Sequence, residues 1–102
     1  PAAGGVNIQV NVEKGWGEDQ MTHKTAKDMA NYMEIPNVSV ANVLQRLEDE
    51  RRRTPGNEMN KQKALDAVIA KIHEIQDGKK GKKDVAKDLH AFGDTHPAPP
   101  AA

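Results

Sequence analysis

The sequence contains no cysteine, and only three of its 102 residues are aromatic: Trp16, Tyr32 and Phe92. Without cysteine there is no disulfide, no thiolate nucleophile and no thiolate metal site. The expected setting is a cytoplasmic one, or the inside of a virion, because small secreted domains usually rely on bridges. So few aromatics leave an aliphatic and methionine-rich core, and they argue against a platform for stacking nucleic-acid bases. No apolar run approaches the roughly 20 residues that a membrane helix needs. An excess of charge is missing too. Fifteen basic and fifteen acidic residues balance to zero, where a typical nucleic-acid binder carries surplus positive charge.

Catalytic chemistry is equally thin. Ser39 is the sole serine, and no histidine or aspartate stands near it at a spacing that suggests a triad. The four histidines (His23, His73, His90, His96) form no helical His-x-x-x-His pair that could start a zinc site. The glycine-lysine stretch 78–83 lacks the spacing and terminal hydroxyl of a phosphate loop. The expectation is a non-catalytic binding protein with no cofactor and no metal.

What is present is a pattern of elements. Residues 1–5 and 94–102 are rich in Pro, Ala and Gly and read as flexible tails around a single domain over 6–93. From Val6 to Val12 apolar and polar residues alternate without a break, which predicts a half-buried strand over about 6–12. Four helices are predicted after it. The first covers about 18–34, with Met21, Thr25, Met29, Tyr32 and Met33 on one stripe, Ala26 and Ala30 beside it, and Ile35-Pro36 ending it. The second covers 37–53, capped by Asn37 and carrying Val40, Val43, Leu44 and Leu47. The third covers 58–77, capped by Asn57, with Leu65, Val68, Ile69, Ile72 and Ile75 recurring at helical spacing. The fourth covers 83–92, with Val85, Leu89 and Phe92 on one face, and ends at Gly93. The fold class is therefore mostly α.

A lone strand leaves a row of backbone donors and acceptors without partners. No second segment of the chain reads as a strand, so the expected partner is another molecule. The simplest solution is a homodimer with the two strands paired across a two-fold axis; addition to a neighbour's sheet in a larger assembly is the next. In such a ribbon Val6, Ile8, Val10 and Val12 face the helices, while Asn7, Gln9 and Asn11 face outward. Amide side chains on a two-stranded ribbon suit adenine edges in the major groove; they also serve simply to solvate an outer face.

A strand followed by two helices, the second opening Asn37-Val38-Ser39-Val40, resembles the ribbon-helix-helix repressors. That resemblance implies Asn7, Gln9 and Asn11 as base-reading positions and the amides of Asn37, Val38 and Ser39 as a phosphate site. The sequence departs from the family where Glu13 to Asp19, with two glycines, separates strand from helix. The same region, with Ala30, Ile35, Val40 and Val43 at the buried positions, also resembles a helix-turn-helix, which implies Ser39, Asn42 and Arg46 facing the groove. Glu34 occupies the usual glycine position of that motif. Glu48-Asp49-Glu50-Arg51, followed by Asn60-Lys61-Gln62-Lys63-Ala64-Leu65, is similar to part of the peptide-chain release factors, but their Gly-Gly-Gln tripeptide is absent and hydrolysis is not implied.

Two basic clusters complete the candidate set. Arg51, Arg52 and Arg53 follow an acidic run directly, and Lys79, Lys80, Lys82 and Lys83 lie between the last two helices. Either can contact phosphates, with salt-sensitive affinity. The leading expectation is a small homodimeric DNA-binding regulator of bacterial or phage type. The alternative is a structural or scaffold subunit of a virion or other multi-protein assembly, and the neutral charge favours it.

Overall fold

In a computed structural model, described here for residues 6–100, four helices follow one another: α1 Glu18–Met33, α2 Val40–Arg53, α3 Met59–Asp77 and α4 Lys82–Asp94. Of the tails expected at 1–5 and 94–102, residues 1–5 and 101–102 fall outside the described residues; Asp94 belongs to α4, and the Thr95 and His96 N–H groups donate to the carbonyls of Phe92 and Gly93. None of the four helices is long and apolar enough to cross a membrane.

Helix α1 is the centre of the arrangement, packing against each of the other three. Its burial explains why. Met21, Thr22, Thr25, Ala26, Met29, Ala30 and Met33 are all buried, forming two adjacent rows of four-residue spacing, the expected stripe and the row of Thr22, Ala26 and Ala30 beside it. Small residues at 26 and 30 let neighbouring helices approach, and the methionines fill the irregular space beside them. The start is fixed by Gln20, whose Oε1 accepts the Gly17 backbone N–H at 2.9 Å, and by Glu18 and Asp19 in the first turn. Pro36 follows the end of the helix.

The aliphatic stripes foreseen on the later helices close over α1. Val43, Leu44 and Leu47 of α2, Leu65, Val68, Ile72 and Ile75 of α3, and Val85 and Leu89 of α4 join Met29 and Met33 in one core. Each fully buried Leu, Ile or Val in it contributes about 1.5–3 kcal/mol relative to an exposed position.

Helix ends differ from expectation in instructive ways. Asn37 does not cap α2; Ser39 does, in a reciprocal pair in which Ser39 Oγ accepts the Asn42 N–H at 3.1 Å and Asn42 Oδ1 accepts the Ser39 N–H at 2.9 Å. Burial of Val38 sets the chain direction before the cap and displaces the helix start by three residues. Glu58, not Asn57, occupies the cap position of α3. Gly93 lies inside α4 instead of stopping it, and it does so for packing: a Cβ there would stand 2.9 Å from Lys27 Cδ and 3.3 Å from Ala26 Cβ. Its absent side chain sets the close approach of α4 to α1.

The predicted strand over 6–12 is the main correction. Among the described residues there is no strand. The segment is extended and its alternation is real: Ile8 is buried, Val6 and Val10 are packed on the core, and Asn7, Gln9 and Asn11 are exposed. Yet it is an arm lying on helices. Tyr32 of α1 accepts the Gln9 N–H at its hydroxyl (3.2 Å), and Arg46 of α2 donates from Nε to the Ile8 carbonyl at 2.8 Å. Side chains of the same molecule supply partners that a second strand was expected to supply. A period of two records only that one face is covered, not that the cover is a sheet.

The contact at Gly93 has a measurable consequence. Gly93→Val is expected to lower the stability by about 1–3 kcal/mol by overpacking the α1–α4 contact, read from the midpoint of urea unfolding followed by circular dichroism.

Candidate functional site

The residues expected to read bases are distributed over two places. Asn7, Gln9 and Asn11 lie exposed along the arm, whereas Ser39 caps α2 and Asn42 and Arg46 belong to its first half. Arg46 joins the two. Its Nε reaches the Ile8 carbonyl and its Nη1 donates to Glu50 Oε1 at 2.8 Å, so the guanidinium is held between the arm and its own helix. Asn42 and Ser39 are engaged with one another in the cap. Of the three amides proposed as a phosphate site, Val38 N–H donates to the Ile35 carbonyl at 3.1 Å and Ser39 N–H to Asn42; Asn37 sits exposed in the turn. Ala41, Gln45, Glu48 and Arg52 are exposed on α2.

The three arginines at the end of α2 are also paired. Arg51 makes a forked contact to Asp66 of α3, at 2.7 Å from Nε and 3.3 Å from Nη2. Arg52 pairs with Asp49, and Arg53 lies 3.5 Å from Glu50. Glu50 is the node here, a role the sequence did not signal. Lys61 of α3 donates to its Oε2 at 2.7 Å while Arg46 holds Oε1. Burial alone would push this carboxyl up. The hydrogen bonds and charges of Lys61 and Arg46 outweigh it and bring its pKa from 4.5 down to about 2.

The lysine-rich connection resolves less uniformly. Lys80 pairs with Asp88 at 2.6 Å, which raises the lysine's pKa. Lys82 Nζ donates to the Ile35 carbonyl at 2.8 Å and lies 3.5 Å from that of Pro36, just beyond the C-terminus of α1, where backbone oxygens attract a cation. Lys79 adopts a positive φ of 60°. Lys79, Lys83 and Lys87 are exposed, and among the described residues none has an acidic partner within 4.0 Å.

Two openings accompany these surfaces. One, of about 420 Å³, lies where Trp16 and Met21 meet the start of α3; Met59, 58% exposed, stands in its lining. Asn60 Nδ2 donates to the Trp16 carbonyl at 3.2 Å, tying this joint together. The other, of about 580 Å³, lies between the end of α1 and α4, lined by Met33, Ala86 and the lysines at 82, 83 and 87. His90 and Glu34 belong to the same lining and are joined at 2.9 Å between Nε2 and Oε2. The sequence offered a signal for the second opening in the run of lysines; for the first it offered only an isolated tryptophan between two glycines.

Among the described residues no three histidine, aspartate or glutamate side chains gather as metal ligands. His23 is engaged otherwise, its Nδ1 lying 2.7 Å from the Gly93 carbonyl and 3.0 Å from that of His96, where it donates to the open end of α4. The chain matches no protein-family model, no curated protein and no solved structure.

Glu50 gives this region a pH dependence. The folded carboxylate takes up its proton only near pH 2, the unfolded one near 4.5. The stabilisation is therefore complete at neutral pH and is lost as the pH falls through that window. Glu50→Gln is expected to lower stability at neutral pH by about 1–2 kcal/mol, with the difference from the parent chain shrinking toward pH 2. Urea titrations across that range check it; a constant difference at every pH would remove Glu50 as the titrating group.

Proposed function

We propose that this chain is a non-catalytic binding module whose partner is protein, acting as a structural or scaffold subunit within a multi-protein assembly. The observation that carries this reading is the cleft in which exposed Met59 stands beside Trp16. Tryptophan and methionine are enriched in protein interfaces, and a large apolar side chain at the lip of an open cleft is a natural anchor point. Charge supports the same conclusion. Arg46, Arg51, Arg52 and Arg53 each have a carboxylate partner within the chain, in Glu50, Asp66 and Asp49, which offsets part of their charge. Contacting phosphates with them requires breaking those pairs first.

A second reading, a nucleic-acid-binding regulator, is favoured by Lys79, Lys83 and Lys87, which keep their charge free of acidic partners among the described residues. It no longer draws on a strand ribbon.

Replacing Met59 with a photo-crosslinking benzoylphenylalanine, in the cells or particles that make the chain, separates the two. A discrete adduct that survives nuclease is expected, absent when the crosslinker stands at exposed Gln76. No adduct, or one that nuclease removes, overturns the protein reading. In parallel, fluorescence anisotropy with duplex DNA at low and moderate salt is expected to show no saturable binding. Binding abolished by Lys79→Glu with Lys83→Glu would establish the second reading instead.

A further inference from the structure

We propose that the groove between the end of α1 and α4 receives an acidic segment of the partner protein, anchored by an apolar side chain. The assignment rests on the protein-binding reading above but concerns a different surface from the Met59 cleft.

The groove has a volume of about 580 Å³, which is larger than any single side chain and within the range of pockets that hold small ligands or peptide anchors. Most of its accessible lining is apolar. Met33 and Ala86 close its floor but are 1% and 4% exposed, so this apolar surface comes mainly from the carbon stems of the lysines and from His90. Its outer lining is cationic. Lys83 and Lys87, one turn apart on α4, are exposed, and among the described residues neither has an acidic partner within 4.0 Å.

Lys82 is different, because it is already fixed on the carbonyls of Ile35 and Pro36. It adds positive charge at a set position with little freedom left to lose. The single carboxylate in the lining, Glu34, is occupied by His90. Three lysines against one glutamate leave the lining with a net charge of two positive units when His90 is neutral.

Charge complementarity thus calls for an anionic guest, and the apolar walls call for a hydrophobic one. A bare phosphate satisfies only the first demand. A peptide in which carboxylates flank a leucine or similar side chain satisfies both: the apolar group lies between the lysine stems, over the floor that Met33 and Ala86 close, and the carboxylates pair with Lys83 and Lys87. The stems supply apolar wall while their ammonium groups remain at the mouth.

The test uses the full chain and a short fluorescein-labelled peptide alternating glutamate with leucine. Saturable anisotropy is expected at low salt, weakened about tenfold or more by Lys83→Glu with Lys87→Glu. Both side chains are exposed, so helicity by circular dichroism should be unchanged. Versions of the peptide with glutamine for glutamate, or serine for leucine, should each bind about tenfold more weakly, since each removes one of the two demands. Amide shift changes on titration should centre on Met33, Ala86 and Lys87, not on Trp16 and Met59. Failure to bind, indifference to the lysine substitutions, or shifts centred elsewhere would overturn the proposal. Tighter binding of duplex DNA or polyphosphate than of the peptide, lost in the same lysine variant, would reassign the groove to phosphate. A nuclease-resistant adduct at Met59 together with a silent peptide titration rejects the groove alone; loss of both rejects the protein-binding reading.

Discussion

The ionised carboxylate of Glu50 holds three parts of this molecule in register, and the surfaces on that side of the fold follow from it. Arg46 and Lys61 approach it from α2 and α3, and Arg46 extends the connection to the Ile8 carbonyl of the arm. A carboxylate with cations on both oxygens is stabilised where an unpaired one would be driven to neutrality. The arrangement also decides which charges remain for external use. Guanidinium groups that fasten one element to another are not available to a partner, whereas the ammonium groups of Lys83 and Lys87, on the far helix, are.

Helix α1 supplies the second constraint. It is buried along two rows, so every other helix must find its place on it, and small residues determine how closely. At Ala26 the neighbour is Gly93, where an added Cβ would stand 3.3 Å from Ala26 Cβ, so the missing side chain eases the close approach of α4 to α1. His23 then meets the terminal carbonyls of α4. The groove proposed for an acidic peptide lies at the other end of the same helix pair, beside Met33 and Glu34.

Periodicity carried the helical part of the fold well. Leu65, Val68, Ile72 and Ile75 on α3, and Val43, Leu44 and Leu47 on α2, are buried as their spacing implies, while Ile69 and Val40 of the same stripes are only partly buried; the helix bounds are displaced by no more than three residues. The arm was legible as a one-sided extended segment but not as to what covers its backbone, because Tyr32 and Arg46 lie 23 and 38 residues away and nothing local marks them as partners. The same limit applies to the charged residues. The arginines at 51–53 read as one basic cluster in the sequence, which does not show that Asp66, on the next helix, is brought beside Arg51. Glu50 was one acid in an acidic run, and its node position follows from Lys61 crossing from α3. Tertiary proximity, not composition, distinguishes a structural cation from one left for a ligand.

The arm's attachment has a consequence for behaviour in solution. A ladder shared between two chains forms by a second-order step, and dilution dissolves it. Bonds from Tyr32 and Arg46 to the backbone of the same chain are first-order, so the arm's attachment does not depend on how many copies surround it. The molecule can therefore keep this end closed while scarce, and the unpaired edge it would otherwise offer as a template for sticking to its own kind is partly covered from the moment it folds.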